Sequence, residues 1–262
     1  MRRIWPALAD LADADLDEAA LSSAYAPDRS RPGLRVNFVT SLDGAVEVGG
    51  YSEGLSGGAD RAVFGLLRAH SDALLVGAGT LRREGYRGVR LDERRRAWRR
   101  EHGLAEYPTL VVVSSTLDLD PDQAAFADAP VRPIVLTHAA GLLERRAAPP
   151  AGAARTLADL EAIADIVVCG ESTVDLAAGL AELRRRGLDQ VLCEGGPHLF
   201  GALLAADLVD EFCLTISPLL AGPGAGRIVA GPGRETPLGM RLIHVIEADD
   251  MLLARYARAV RP

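Results

Sequence analysis

Lysine is absent: all 29 basic residues are arginine. That excludes a Schiff-base lysine, a phosphate-gripping P-loop lysine and a lysine general base, since a guanidinium does not give up its charge to do this work. Cysteine is scarce. Cys169, Cys193 and Cys213 are too few and too scattered for a disulfide framework or a C-x-x-C metal site, and each lies in or just after an apolar run, so they read as small buried thiols. His70, His102, His138 and His244 show no ligand spacing, and no metal site is expected. Positive charge is in deficit. At a net −7, with the densest basic run (94–100) set between Glu93 and Glu101 and read as one exposed helical face, the chain lacks the basic surface that a nucleic-acid partner requires. No apolar run of about 18 residues occurs, and Arg2 and Arg3 lead toward Asp10, Asp13 and Asp15 without an apolar stretch. Neither a membrane span nor a signal peptide is expected, and the chain reads as cytoplasmic.

What is present is globular: 48% hydrophobic and 25% charged residues. Residues 1–33 read as an N-terminal arm, with a short acidic helix within 13–24 and a linker over 26–33, and residues 34–262 as one domain. Apolar runs predict strands at 34–40, 73–76, 109–115, 132–137, 166–169, 190–193, 211–216 and 227–229, and a hairpin of 240–247 with 251–258. Helical stripes fall at 60–70, with Asp60 as its cap, and at 173–186, stopped by Gly187. A short helix opens near Thr80, the expected N-cap, and another follows Pro197. Residues 147–154 read as a loop. Strands alternating with helices, then a run of strands, predict an α/β fold: a mixed, mostly parallel central sheet flanked by helices, with an antiparallel C-terminal hairpin.

Three strand ends carry small residues before a helix or loop: Gly77-Ala78-Gly79-Thr80, Ser114-Ser115-Thr116 and Gly195-Gly196-Pro197. Ligands of open α/β sheets bind beyond the carboxyl ends of the strands, where glycine lets backbone N–H groups approach a pyrophosphate and a helix start adds partial positive charge. Together they predict a dinucleotide site, although 77–82 breaks the G-x-G-x-x-G fingerprint at Arg82. Gly54-Leu55-Ser56-Gly57-Gly58 matches G-x-S-x-G, but the segment before it is no strand, and a serine hydrolase is not expected. Glu194 reads either as a carboxylate favouring the following helix start or as a polar group facing a ligand. Asp43 reads as a turn residue and His198 as packed near its turn.

Three stretches together resemble the reductase domain of riboflavin biosynthesis, the C-terminal half of bifunctional deaminase–reductases, which has the dihydrofolate reductase-like fold. The first is 36–44 (VNFVTSLDG), the second 67–80, and the third 194–199 followed by 208–211 and 217–222 (SPLLAG). The resemblance spans about 34–258. It implies NADPH as hydride donor, a small heterocyclic substrate (typically a ribosylaminopyrimidinone phosphate reduced at its ribose) and a homodimer. Under it Gly77, Gly79 and Thr80 hold cofactor phosphate. Ser114 and Ser115 lie near the adenosine 2′-phosphate, and Gly195, Gly196 and Pro197 pass under the pyrophosphate and nicotinamide. Glu194 and Asn37 are the expected catalytic residues, and Ser52, Arg61 and Glu84 the expected substrate contacts. The family usually has lysine where this chain has Asn37, and an Asp-Asp-Pro run where it reads Arg83-Glu84-Gly85-Tyr86. No deaminase motif (H-x-E with P-C-x-x-C) is found, so a stand-alone reductase is expected. A dihydrofolate- or pteridine-type reductase, and a non-catalytic NADP-binding protein, are the alternative readings.

Overall fold

Short apolar runs rich in valine, leucine and isoleucine form the strands, and glycines and acidic caps set the helix limits. The structure, a computed structural model, describes residues 1–6, 15–147 and 156–259. In chain order its elements are β1 (Arg2–Trp5), α1 (Glu18–Tyr25), β2 (Gly33–Thr40), α2 (Gly58–His70), β3 (Ala73–Gly77), α3 (Ala78–Arg83), α4 (Glu93–Glu101), β4 (Thr109–Val113), α5 (Ala124–Ala127), β5 (Ile134–Thr137), α6 (Ala139–Ala147), α7 (Leu157–Ile163), β6 (Asp165–Val168), α8 (Leu176–Arg185), β7 (Gln190–Cys193), α9 (Pro197–Ala205), β8 (Glu211–Ile216), β9 (Met240–Ala248) and β10 (Met251–Arg258). Two compact units result, Met1–His70 with Leu192–Pro262, and Ser71–Val191.

In the second unit β3, β4, β5 and β6 pair in parallel in that order. Leu74–Val76, Leu110–Val112 and Ile134–Leu136 are buried, as continuous apolar runs in a parallel sheet should be. Asp175 caps α8 by accepting from the Ala178 amide at 2.9 Å, and Gly187 ends it at φ +78°. Two expectations are corrected here. Gly77 is the N-cap of α3, so Thr80 lies inside the helix, because the chain turns directly from strand into helix. The basic run does form α4, yet Arg99 is fully buried, its Nε donating to the Ala105 carbonyl and its Nη1 to the Ser71 carbonyl, each at 2.6 Å. The loop expected at 147–154 lies outside the described residues beyond 147.

In the first unit β2 pairs in parallel with β8, and β8, β10, β9 and β1 follow antiparallel. The hairpin turns on Asp249 and Asp250, both at positive φ (+53° and +61°), the backbone twist that suits a two-residue turn between twisted strands. Phe38 of β2 stacks on Phe200 of α9 at 5.4 Å between ring centroids, and Phe200 on Phe212 of β8 at 5.3 Å. Residues 227–229, expected as a strand, are not one, since Gly222, Gly224 and Gly231 around them sit at positive φ and interrupt any extended run. Asp60, expected as a cap, lies within the first turn of α2, where its Oδ2 accepts from Ser56 Oγ at 2.6 Å.

The segment expected as an arm contributes β1, on the edge of β9, and α1. The end of α1 is clamped from below: Arg35 Nη1 donates to the Tyr25 carbonyl at 2.7 Å, and Arg255 donates to the Ala24 and Ala26 carbonyls at 2.6 and 3.1 Å. Both guanidiniums also grip Glu211, through Arg35 Nε at 2.7 Å and Arg255 Nη2 at 2.8 Å. Burial pushes the Glu211 carboxyl upward, but the two arginines outweigh it and hold its pKa below the ordinary value.

Candidate functional site

Two turns in the second unit begin where parallel strands end. After β3 the chain enters α3 with Gly79 exposed, and a Cβ built on Gly79 would meet nothing within 4 Å. The first N–H groups of a helix have no intrahelical acceptor, so this open start suits an anion. After β4, Ser114 is buried and its Oγ accepts the Leu117 amide at 3.0 Å, while Ser115 is exposed. Arg82 of α3 reaches this second turn, its Nη1 donating to the Asp118 carbonyl at 2.7 Å. The second unit thus joins Gly77–Thr80, Arg82 and the serine turn in one neighbourhood, and the role of Arg82 as a tie between them was not legible from spacing. Glu84, half-buried, is the C-cap residue of α3.

In the first unit the turn 194–197 leads from β7 into α9. Gly195 lies at φ +86°, and a Cβ there would stand 2.8 Å from Phe38 Cζ; the turn rests on the phenylalanine stack and admits only glycine at this position. Gly196, the N-cap of α9, is extended, with no side chain to cap the helix, and Pro197 takes the first helical position. The Gly195–Gly196 peptide is cis. Glu194 is almost sealed, its side chain 2% exposed. Both its oxygens are taken by Arg68 near the end of α2, Nε to Oε1 and Nη2 to Oε2, each at 2.7 Å, and the same guanidinium lies 4.3 Å over the Phe64 ring. Of the two readings of Glu194, the geometry adds a third feature that sequence did not show, a planar two-pronged ion pair across 126 residues of chain. His198, expected to pack near the turn, is exposed, because it falls on the outer face of the first turn of α9.

The loops 41–44 and 217–222, two of the stretches that carry the resemblance, meet. Asp43 Oδ1 accepts from the Ser41 hydroxyl and from the Ala221 amide at 3.1 Å, its Oδ2 accepts from the Gly222 amide at 2.8 Å, and the Leu42 amide donates to the Leu219 carbonyl at 2.8 Å. These hydrogen bonds, the Ser41 hydroxyl first, bring the exposed Asp43 carboxyl down to about 2. Asn37 is half-buried on β2, opposite Cys213 of β8. Ser52 precedes a single 3₁₀ turn at Glu53–Leu55 on the segment that joins β2 to α2, and exposed Arg61, in the first turn of α2, donates back to the Ser56 carbonyl of that segment at 3.3 Å. All three cysteines are buried, and burial pushes the Cys193 and Cys213 thiols up to about 12 and about 11. Among the described residues no group of His, Cys, Asp and Glu is placed to hold a metal, and no helix is long and apolar enough to cross a membrane.

An α/β chain whose parallel strands end in glycine turns and uncapped helix starts has the form of a nucleotide-dependent enzyme. The chain belongs to the RibD C-terminal domain family, whose profile matches residues 32–253. It is 30% identical, over 73% of its length and 83% of the relative's, to a protein of Archaeoglobus fulgidus named 2,5-diamino-6-ribosylamino-4(3H)-pyrimidinone 5′-phosphate reductase. A protein of the same name from Methanothermobacter thermautotrophicus is also 30% identical, over 78% of this chain and 86% of that one. The fold matches the crystal structure of a pyrimidine reductase-like protein from Corynebacterium diphtheriae with a TM-score of 0.75, at 24% identity, over 88% of this chain and 93% of that one. The architecture is dihydrofolate reductase-like, as the resemblance implied, and the family's reductases use a nicotinamide cofactor.

Proposed function

We propose that the chain is an NADPH-dependent reductase of the ribosyl group of 2,5-diamino-6-ribosylamino-4(3H)-pyrimidinone 5′-phosphate, acting in the cytoplasm as a homodimer, with residues 34–262 as the reductase domain. The observation that carries this reading is the 30% identity, over most of both chains, to two reductases named for that substrate. When bound, the cofactor supplies a hydride to an electrophilic C=N or C=O carbon. The protein's part is placement. The start of α3, with Gly77, Gly79 and Thr80 and no side-chain cap, suits a cofactor phosphate, and the start of α9, with extended Gly196 and Pro197, suits close approach of a ligand to the backbone. Ser115 and Arg82 fit a 2′-phosphate, since Ser115 is exposed and Arg82 reaches the Asp118 carbonyl just beyond the serine turn, whereas Ser114 is buried beneath them. Asn37, Ser52, Arg61 and Glu84 are the proposed substrate side.

The test is steady-state NADPH oxidation with the pyrimidine phosphate and, separately, dihydrofolate, beside calorimetric titration with NADPH. Turnover of the pyrimidine phosphate is the expected result. Turnover of dihydrofolate alone replaces it with a pteridine-type reductase, and NADPH binding without turnover of either identifies a non-catalytic nucleotide-binding protein. Sedimentation showing only monomer at micromolar concentration overturns the dimer.

A further inference from the structure

We propose that Gly141 of α6 is a positioning residue that sets the polarity of the turn 114–117, so that the Thr116 N–H is presented to the 2′-phosphate of the nucleotide. The inference rests on the reading of this turn as the 2′-phosphate end of the cofactor site. It starts from a glycine in an unfavourable place. Gly141 is buried within α6, and glycine is the poorest helix former after proline. A Cβ here would stand 2.0 Å from the Ser115 carbonyl oxygen and 3.1 Å from His138 Cε1. The helix therefore closes on the turn through a contact that only glycine permits. One helical turn along the same face, Arg145 Nε donates to the Leu117 carbonyl at 3.2 Å.

The start of α6 is itself held in place. The Ala139 amide donates to the Gly170 carbonyl at 3.0 Å, the Ala140 amide to the Glu171 carbonyl at 2.9 Å and the Gly141 amide to His138 Nδ1 at 3.1 Å. A side chain at 141 must then push on the turn, because the helix is tied down. The Ser115–Thr116 peptide is trans, so its carbonyl oxygen and its N–H point in opposite directions. With the oxygen against α6, the N–H faces away from the helix. Ser115 and Thr116 are exposed, and among the described residues neither of their amides donates to a protein acceptor. Below them the Ser114 hydroxyl accepts the Leu117 amide at 3.0 Å and closes the turn. The turn thus offers donors outward and keeps against the helix a carbonyl oxygen that would repel an anion. A phosphate monoester takes N–H donors, and a hydrogen bond to its charged oxygen is stronger than a neutral one.

The experiment compares adenosine 2′,5′-bisphosphate with adenosine 5′-monophosphate, which differ only by the 2′-phosphate. In calorimetric titration wild type should bind the bisphosphate roughly tenfold or more tightly, as charge-assisted hydrogen bonds imply. Gly141→Ala, which displaces the Ser115 carbonyl, should lose most of that preference while its affinity for the monophosphate changes little. A Gly141→Ala that keeps the wild-type preference, or that loses both affinities in proportion, overturns the proposal, because a glycine with a merely structural role would give one of these results. The second measurement needs no change at 141. In wild type labelled with ¹⁵N-threonine, the Thr116 amide signal is identified by its loss in Thr116→Ser. The bisphosphate should move that signal downfield, and the monophosphate should leave it in place. A Thr116 signal that stays still while the bisphosphate binds overturns the proposal alone, whether or not Gly141→Ala folds. A wild type that binds the two nucleotides equally overturns the 2′-phosphate reading of the turn, and the proposal with it.

Discussion

His244 on β9 is 3% exposed and stands edge-on to the Tyr25 ring at 4.7 Å between centroids. Burial first, then the charges of Arg255, Arg3 and Arg35, bring its pKa from 6.5 down to about 4, against a weaker upward pull from Glu211. The folded state therefore binds fewer protons than the unfolded chain between these values. The contribution of His244 is complete above about pH 6.5 and is lost as the pH falls to about 4, a span of about 3 kcal/mol at 1.36 kcal/mol per unit. Urea unfolding at several pH values should show that slope in wild type and lose it in His244→Phe, which keeps an aromatic edge against Tyr25. At the proposed substrate side the residue that matters is Asn37. A neutral amide there replaces the cation usual in the family, and the gap between charged and neutral hydrogen bonds, roughly 1 kcal/mol or more, is on the order of tenfold in rate. Asn37→Lys should raise turnover of the pyrimidine phosphate by about that factor without changing NADPH affinity. An unchanged rate would remove Asn37 from the reaction.

Among the elements, α3 and α9 start alike but are packed differently. A Cβ on Gly201 of α9 would lie 1.9 Å from the Ala230 carbonyl oxygen, so Gly201→Ala must push helix and loop apart. A loss of about 1–3 kcal/mol or more is expected in chemical denaturation. Gly79 of α3 faces open space, and Gly79→Ala should leave stability unchanged or raise it by up to about 1 kcal/mol while weakening NADPH binding. Much of this arrangement was legible: β2, β3, β4, β7, β8, the hairpin, and the small-residue turns after β3, β4 and β7, because long apolar runs and glycine punctuation are local signals. What sequence hid is tertiary. The pattern Arg-Arg-Ile-Trp has no period to mark β1, which exists because β9 offers it an edge. Arg99 reads as surface because nothing in a basic run reveals that one guanidinium meets two carbonyls. The Arg68 partner of Glu194 is far away in the chain. The start of α7 was readable in principle, since Thr156 and Asp159 form a capping box.

At the scale of the molecule, cofactor binding should appear as stability. A ligand present at a hundred times its dissociation constant adds about 2.7 kcal/mol, which for a chain of 262 residues corresponds to roughly 5–10 °C in melting temperature. NADPH should give this shift, and NADH at the same concentration a smaller one if Arg82 and Ser115 receive a 2′-phosphate. Equal shifts would sink that assignment. The two tryptophans divide the same measurement. Trp5 lies on β1 in the first unit, 45% exposed, and Trp98 lies on α4 in the second, stacked 4.0 Å from the His102 ring. The chain thus carries one tryptophan in each unit, and with excitation selective for tryptophan, replacing either by phenylalanine leaves the indole emission of the other alone. Coincident melting curves from the two single-tryptophan proteins mean one cooperative transition, and separate curves give each unit its own melting point and its own response to nucleotide.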